Sequence, residues 1–398
     1  MRTSIAWGNS ALELEIDEPS HIGRRAEPAP NLADPAQAVR DALEHPLDYP
    51  ALRQALTPDD HVAIVVDEGV PGLVGLLIAV LEHLEKGGVH SDAITVICPA
   101  PTSGQPWIDD LPDAYQDLHV EVHQPADRKK LAYLATTKKE HRIYLNRTAV
   151  DADQLIVLSR RRYDAAFGYG GAEMAVYPGL ADQTSIEETR GHLTKKAPGA
   201  TPSAIQAQAR EVVWLLGAPF FVQVIEGTGD GICDVLAGPL ESSDAGQRKL
   251  DERWRVEVDV PADVVVASVT GNSGGIDALA RAAFTASRVV KSGGSIVLLS
   301  SGPVTLGPAF EMLRRHESAD DARRVLEEEK SIDLSAGYQW LAAVGASRVY
   351  LLSGLEDDVA EELFAVPMQH AEQTQRLLGS GATCVLLPDA DKTLAIVR

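Results

Sequence analysis

The sequence predicts an α/β fold with parallel sheet, arranged as two domains. Short continuous apolar runs, such as HVAIVV at 61–66 and AITVIC at 93–98, are typical of strands buried on both faces of a parallel sheet. Segments with helical periodicity, such as 72–86, lie between such runs, and this alternation is the pattern of βαβ units. The length of 398 residues fits two domains of ordinary size.

The first predicted domain covers residues 1–260. Its opening segment, 4–16, ends in the alternating run ALELEI, which predicts a half-buried strand or hairpin, and a proline-rich connector follows from 18 to 35. The run GTGDG at 227–231 predicts a hairpin turn, because glycine adopts positive φ at little cost. The other predicted elements are helices at 35–43, 49–56 and 72–86 and strands at 61–66, 93–98, 119–123, 155–159 and 220–225.

The second predicted domain covers residues 261–398. It opens with a strand at 264–269, a glycine-rich turn at 271–275, a helix at 276–291 and a strand at 295–300. This order is that of one unit of a doubly wound sheet. Two later apolar runs, 348–353 and 382–387, predict further strands.

The charge of the chain narrows the classes of partner. It has 36 Lys and Arg against 58 Asp and Glu, a net charge of −22. Such an acidic surface disfavours binding to nucleic acid and to anionic membranes, but it leaves room for a small basic pocket that takes an anionic ligand. The three cysteines are far apart in sequence and the N-terminus lacks a signal-peptide core, so we expect a cytoplasmic protein without a disulfide framework.

Turns after parallel strands are where α/β folds place ligands. Asp67 directly follows the run HVAIVV, where its carboxylate could position a ligand hydroxyl or act as a base, and capping of the next helix is an equal alternative. Gly170 and Gly171 would let the backbone approach a nucleotide, or would simply form a tight turn.

Two basic features could bind an anion. The arginine triplet at 160–162, which includes Arg162, is notable in so acidic a chain and could bind a carboxylate or phosphate. A solvated basic face is the common alternative for such a triplet. Arg281 follows the glycine-rich turn at 271–275, which would also suit an anion, unless the turn only joins a strand to a helix.

Several segments occur in a characteristic order along nearly the whole chain. In sequence they are AWGNSALELEI, ADPAQAVRDALEHPLDYPALRQAL, VAIVVDEGVP, LNRTAVDADQLIVLS, FGYGGAEMAVYPGLADQTSIEETRGH, ASRVVKSGGSIVLLSSG, YQWLAAV and ATCVLLPDADKTL. In this order the chain resembles the nickel-pincer-nucleotide-dependent lactate racemase family. The resemblance implies two α/β domains with a cleft between them. It also implies racemisation or epimerisation of 2-hydroxyacids, in which the cofactor takes the C2 hydrogen as hydride and two histidines exchange the hydroxyl proton.

The family's substrate-binding and proton-transferring positions are largely replaced in this sequence. The aspartate of its Asp-x-Thr-Arg-Pro motif corresponds to Asp67, but the arginine of that motif falls on Val70. The two catalytic histidines fall near Ser103 and on Tyr163. Valine cannot bind a carboxylate, and a tyrosine would need a lowered pKa to exchange protons near neutral pH.

The cofactor positions are replaced as well. The lysine that carries the cofactor falls on Glu173 or Met174, after the paired glycines Gly170 and Gly171. The nickel-binding histidine falls near Arg190, and His192 could substitute for it.

Only part of the family's site persists in the second predicted domain. A glutamine–lysine pair falls on Ala278 and Arg281, so that one positive charge is kept, and the tryptophan beside the cofactor corresponds to Trp340.

These replacements lead to two main hypotheses. In the first, the chain is a diverged isomerase that acts on or binds a 2-hydroxyacid or sugar acid, with Arg162 or Arg281 holding the carboxylate. Tyr163, Ser103 and Asp67 would then be the catalytic candidates, and His192 would be a metal ligand to a nickel-pincer nucleotide held without a covalent bond. In the second, the chain is a catalytically inactive member that binds a small molecule or has a regulatory role. A third hypothesis is different chemistry in the same cleft without nickel.

Overall fold

The computed structural model describes residues 2–8, 10–16, 30–99, 105–138, 140–190, 202–217, 219–271, 275–328, 331–379 and 381–398. The strands are β1 (Arg2–Trp7), β2 (Ser10–Glu15), β3 (Val62–Val66), β4 (Ile94–Cys98), β5 (His119–Val122), β6 (Leu131–Thr136), β7 (Arg142–Asn146), β8 (Gln154–Asp164), β9 (Gly168–Gly170), β10 (Phe220–Glu226), β11 (Ile232–Gly238), β12 (Arg255–Val258), β13 (Ala262–Val269), β14 (Val290–Ser300), β15 (Arg348–Leu352), β16 (Val366–Pro367), β17 (Cys384–Leu387) and β18 (Leu394–Val397).

Helices connect most of these strands. The α-helices are α1 (Pro35–Glu44), α2 (Leu73–Lys86), α3 (Arg147–Asp151), α4 (Ala172–Val176), α5 (Gln183–Arg190), α6 (Ala204–Leu216), α7 (Ser242–Trp254), α8 (Gly275–Ser287), α9 (Pro308–Leu313), α10 (Ala319–Glu328), α11 (Leu334–Val344), α12 (Asp357–Glu362) and α13 (Thr374–Leu377). Short 3-10 helices lie at Leu52–Gln54, Ser91–Ala93, Pro106–Asp110, Asp113–Tyr115, Arg128–Lys130 and Ala371–Gln373. Within the described residues, no helix is long and apolar enough to cross a bilayer.

The larger sheet belongs to the first domain and has the strand order β11-β10-β8-β3-β4-β5. Its central strands β10, β8, β3, β4 and β5 run parallel, whereas β11 pairs antiparallel with β10. Successive strands after β3 lie on one side of it, and β8 then pairs on its other side. The strand order therefore reverses between β3 and β8, and ligands of open α/β sheets bind at the carboxyl ends of strands at such a point.

Strand β3 shows why an apolar run predicts a central strand. Side chains alternate between the two faces of a strand. Val62, Ile64 and Val66 accordingly pack in one hydrophobic cluster with α2, whereas Ala63 and Val65 pack in another with α4 and α6. Both faces are thus covered by helices, and the strand needs apolar residues throughout.

The second domain is built on a parallel sheet with the order β16-β15-β14-β13-β17. Its strand order reverses between β13 and β17. Helices α8 and α11 cover one face, and the N-terminal hairpin of β1 and β2 packs against the other. Ile5 and Leu14 belong to that second cluster, and the Ser268 hydroxyl donates a hydrogen bond to the carbonyl of Ala6 at 2.6 Å. By packing, the hairpin is part of the second domain, although our division of the sequence assigned it to the first.

Several predicted elements differ from the structure at their ends. The helix predicted at 49–56 is only the 3-10 turn Leu52–Gln54, because too few residues lie between Pro50 and Pro58 for a stable α-helix. Strand β8 continues to Asp164, so the arginine triplet lies within a strand and not in a turn. The predicted hairpin at 227–231 is confirmed, with Glu226 paired to Ile232.

A buried lysine fastens the two domains together at this hairpin. The Lys392 ammonium donates hydrogen bonds to the carbonyls of Gly227, at 2.8 Å, and of Gly229, and it lies 3.6 Å from the Asp389 carboxylate. The amide of Gly229 in turn donates to the Thr270 hydroxyl at 3.0 Å and to Asp389 at 3.2 Å. We call these five residues the Lys392 network. It joins the first domain to the loops that follow β13 and β17.

We expect Lys392→Met to lower the free energy of unfolding by about 3 kcal/mol, because Asp389 and two carbonyls would lose their buried cation. Urea denaturation measures this change. Lys291→Met is the matched control, since Lys291 pairs with Asp263 at 2.7 Å but both side chains are about half exposed, and its cost should stay below about 1 kcal/mol. Equal losses in the two variants would contradict the structural role of Lys392.

Candidate functional site

The two points of strand reversal face each other across the domain boundary and enclose a cavity of about 220 Å³. We call it the polar cavity. It is lined by Arg162, Tyr163, Asp164, Ala165 and Gly168 of the first domain and by Asp277, Arg281, Phe284, Thr285, Arg288, Ile332, Asp333, Ser335, Ala336, Gln339, Asp391, Thr393 and Leu394 of the second.

Two larger cavities adjoin the polar cavity. The Asp67 cavity, of about 430 Å³, is lined by Val66, Asp67, Glu68, Gly69, Pro99, Ser159, Arg160, Arg162, Gly171, Met174, Ala175, Gly179 and Asp277. The apolar cavity, of about 440 Å³, is lined by Pro99, Pro125, Asp164, Ala166, Phe167, Met174, Pro178, Gly179, Gln183, Ile186, Thr189, Arg190, Ile332 and Ser335. The three cavities share lining residues and so lie side by side, and we refer to them together as the cleft.

The carboxylate of Asp67 forms an ion pair with an arginine of the neighbouring strand. Arg160 forms a bidentate ion pair with it, at 2.8 Å from Nε to Oδ2 and 3.0 Å from Nη2 to Oδ1. Burial alone would raise the pKa of Asp67, but the charge and hydrogen bonds of Arg160 outweigh it and hold that pKa well below its usual value. Asp67 therefore stays ionised and bound to Arg160, so it is poorly suited to the role of base that we predicted.

Glu173, one of the two residues on which we predicted the family's cofactor lysine to fall, is part of a second ion pair. Arg161 is fully buried, and its Nη1 lies 2.8 Å from Oε2 of Glu173. Arg161 also donates from Nε to the Gln223 side chain at 3.0 Å. Burial opposes ionisation of Glu173, but Arg161 lowers its pKa overall.

The paired glycines make room for this ion pair. Gly171 has φ +145°, and a Cβ there would come within 2.9 Å of the Arg161 guanidinium. The carbonyl of Gly170 accepts a hydrogen bond from Arg161 at 3.4 Å. The conformations of the two glycines thus make room for the buried arginine, as the tight-turn alternative implies. Gly171 also lines the Asp67 cavity.

Arg162 and Arg281 differ from these paired arginines. Among the described residues, neither has a carboxylate oxygen within 4.0 Å, and the Nε of Arg281 donates only to the backbone carbonyl of Asp391 at 3.3 Å. The charge of Arg160, together with burial, lowers the pKa of Arg162, and Arg281 adds to this effect. Both predicted substrate-binding arginines therefore line the polar cavity outside any close ion pair of the described residues, and the aspartates that line it with them act on them over longer distances.

Asp391 is a site residue that our reasoning from the sequence missed. It lies in the loop after β17, lines the polar cavity, and has a buried Oδ1 without a hydrogen-bond partner. Burial raises the pKa of Asp391 to about 6, although Lys392 and Arg281 act to lower it. Burial likewise raises the pKa of Asp277 on α8. In the sequence, the signal for Asp391 was the segment PDADK, which follows a predicted strand. Only the strand order of the structure shows that Asp391 and Arg162 line the same cavity.

Tyr163 lines the polar cavity, but its hydroxyl points to a carboxylate. It donates a hydrogen bond to Asp251 at 2.7 Å, and Tyr169 donates to the other oxygen of Asp251 at 2.8 Å. Burial and the charge of Asp251 raise the pKa of Tyr163 well above its usual value. A catalytic tyrosine would need a lowered pKa, whereas the pKa of Tyr163 is raised.

Trp340 lies in the core of the second domain and offers no surface to a ligand. Its side chain is fully buried, packs against Phe310, and donates a hydrogen bond from Nε1 to the carbonyl of Leu363 at 2.8 Å. An indole held in this way by core contacts cannot lie beside a cofactor in the cleft. Two other predicted site residues, Ser103 and His192, lie outside the described residues.

The described residues do not fit a lysine-linked nickel-pincer nucleotide. Of the two residues on which we predicted the lysine to fall, Glu173 is paired with Arg161 and Met174 has no amine, and Val70 is buried in the first domain's core. Among the residues that the structure describes, no group of three or more histidine, cysteine or acidic side chains could hold a metal ion. A cofactor held without a covalent bond stays a prediction.

Comparison with known proteins establishes the family. Residues 7–201 match the lactate racemase N-terminal domain. Through this domain the chain belongs to the lactate racemase family. No curated protein sequence matches the chain significantly.

Solved structures agree with this family at the level of fold. The lactate racemase apoprotein from Thermoanaerobacterium thermosaccharolyticum is similar, with a TM-score of 0.76 and 17% identity over 99% of this chain and 100% of that one. A protein from Thermotoga maritima has a TM-score of 0.66 and 12% identity over 92% and 99% of the two chains. At such identities the likeness establishes the α/β fold, whereas function depends on the site.

We expect Glu173→Gln to lower the free energy of unfolding by about 3 kcal/mol, because it leaves the buried Arg161 without a counterion. Glu15→Gln is the control, since Glu15 pairs with Arg2 at 3.0 Å on an exposed surface and should cost less than about 1 kcal/mol. Urea denaturation of both variants measures the two losses of stability. A loss for Glu173→Gln no larger than that for the control would show that the buried pair is not structural.

We expect Asp391→Asn to stabilise the protein at pH 8 and to have little effect near pH 4. The folded-state pKa of Asp391, about 6, lies above the unfolded value, so ionisation destabilises the fold as the pH rises through this range. The gain is at most about 3 kcal/mol. Asp263→Asn is the control with the opposite sign, because Lys291 and Thr383 lower the pKa of Asp263 to about 2. Denaturation curves at both pH values test this, and a pH-independent effect of Asp391→Asn would refute it.

Proposed function

We propose that this lactate-racemase-like chain binds a small carboxylate, of the 2-hydroxyacid or sugar-acid class, in the polar cavity between its domains. The observation that carries the proposal is the pair of arginines, Arg162 and Arg281, which line one cavity and, among the described residues, have no carboxylate oxygen within 4.0 Å. Guanidinium groups bind carboxylates through two parallel hydrogen bonds, and desolvation strengthens these bonds. A ligand carboxylate would supply the close, hydrogen-bonded counterion that the more distant aspartates of the cavity do not.

The acidic residues of the same cavity favour a ligand with hydroxyl groups. Asp277 and Asp391 of the second domain both line the cavity, and Asp277 is exposed, so its carboxylate can accept a hydrogen bond from a ligand hydroxyl. A cavity lined by both arginines and aspartates matches a hydroxy acid better than a plain fatty acid, whose chain would take water from these charges without replacing its hydrogen bonds.

Binding is the better supported role, since Asp67 and Tyr163 are each held by a partner that opposes proton exchange. An isomerase activity is the second candidate, and one observation favours it. Asp391 lines the same cavity with a pKa of about 6, which suits a group that exchanges a proton with a ligand hydroxyl near neutral pH. A nickel-pincer nucleotide in such an enzyme would be held without a covalent bond, and we propose a cytoplasmic location for either role.

We expect Arg162→Met and Arg281→Met each to weaken binding of lactate or gluconate at least tenfold, because each removes charge-assisted hydrogen bonds worth about 1.5–3 kcal/mol. Isothermal titration calorimetry on the full chain measures the affinities. Arg348→Met is the matched control, since Arg348 is exposed on β15 and does not line the cleft. Absence of binding to the wild type, or equal affinities in all variants, would contradict the proposal.

A further inference from the structure

The polar cavity lies beside a second compartment of different character, with which it shares lining residues. The apolar cavity has about twice its volume, 440 against 220 Å³. Carbon-rich side chains make up most of its wall, chiefly Phe167, Met174, Pro178, Ile186 and Ile332. A compartment with this lining favours hydrocarbon over water or sugar hydroxyls, because burial of apolar surface is the main source of affinity there.

The two compartments meet at three residues, Asp164, Ile332 and Ser335, which line both of them. The charge of Asp164 does not exclude a hydrocarbon group from this junction. Its Oδ1 accepts hydrogen bonds from the amides of Ala166, at 2.8 Å, and Phe167, at 2.9 Å, so the carboxylate is tied to its own loop. One molecule could therefore occupy both compartments.

The remaining polar residues of the apolar cavity have other partners. The Thr189 hydroxyl donates to the carbonyl of Ile186 at 2.9 Å, and the Gln183 amide donates to Glu187 at 2.7 Å. Arg190 is the last residue of α5, where the helix dipole and the charge of Glu187 favour a cation, although burial lowers its pKa. Thr189 and Gln183 therefore require no polar ligand, and the charge of Arg190 is balanced in part by Glu187.

We propose that the ligand is a 2-hydroxyacid with a bulky apolar substituent, whose carboxylate head lies in the polar cavity and whose hydrocarbon group fills the apolar cavity. The inference rests on the proposed carboxylate binding and narrows its ligand class. It separates this class from lactate, whose methyl group cannot reach the second compartment, and from sugar acids, whose hydroxyls would lose hydrogen bonds there.

Calorimetric titration of the full chain with lactate, gluconate, 4-methyl-2-hydroxypentanoate and 3-phenyllactate tests the inference. We expect 3-phenyllactate to bind at least tenfold more tightly than lactate or gluconate, with the methylpentanoate in between, because affinity should rise with the apolar area buried. Arg281→Met should weaken all four acids, since the head group is common to them.

Two variants test the position of the apolar group. Ile186→Trp should fill the apolar cavity and reduce 3-phenyllactate to the affinity of lactate, while lactate is unaffected. Because Ile186 is buried and its variant could fail to fold, Ile332→Glu is the second test, at a junction residue that is 47% exposed. Val260→Glu is its matched control, since Val260 is equally exposed and lies outside the cleft.

The outcomes separate the two proposals. Arginine-dependent binding of all acids with 3-phenyllactate no tighter than lactate, or with gluconate tightest, would overturn the apolar ligand class and leave carboxylate binding intact. An advantage of 3-phenyllactate that survives both variants would also overturn it. Failure of all four acids to bind would overturn the proposed function itself, and this inference with it.

Discussion

The placement of three consecutive arginines near the end of β8, one fully buried and two half-buried, is the constraint on which the site depends. A buried guanidinium is costly without a counterion, and successive side chains of a strand point to opposite faces. Arg160 pairs with Asp67 at the end of the neighbouring strand, and Arg161 pairs with Glu173 on the other side of the sheet. Arg162 faces the second domain, where Arg281, Asp277 and Asp391 line the same cavity. The cavity is therefore lined by charges of both signs, and Arg162 has no close ion pair among the described residues.

The same constraint explains how the lactate racemase fold persists here with a different site. Fold similarity extends over 99% of the chain at 17% identity, because parallel strands and covering helices tolerate most apolar exchanges. Glu173, one of the two residues on which we predicted the family's cofactor lysine to fall, is here a counterion. It pairs with Arg161, and a lysine in its place would put two cations together in a buried site.

The sequence revealed the fold more completely than the site, for physical reasons. A run such as VAIVV in β3 must be buried on both faces, and this requirement is local. The pairing of short strands such as β12 with β18 joins residues about 140 positions apart, which no local pattern indicates. The role of Tyr163 depends on Asp251, on another element, and Asp391 lines the same cavity as Arg162 only because of the strand order of two sheets. The residue types predicted that charged side chains line the cleft. Tertiary contacts, which the sequence does not show, determine which of these side chains have an ion-pair partner.

The Lys392 network has a consequence for how a ligand enters. It joins the domains at one corner of the cleft through a hairpin and two loops, each hydrogen-bonded to the others. Any rotation of the domains that keeps these bonds must pivot about that corner, so the cleft widens as a wedge from the opposite side. Bulk at the junction residue Ile332 would then limit the rate of entry and escape together, and ligands of equal affinity could differ greatly in how long they stay bound.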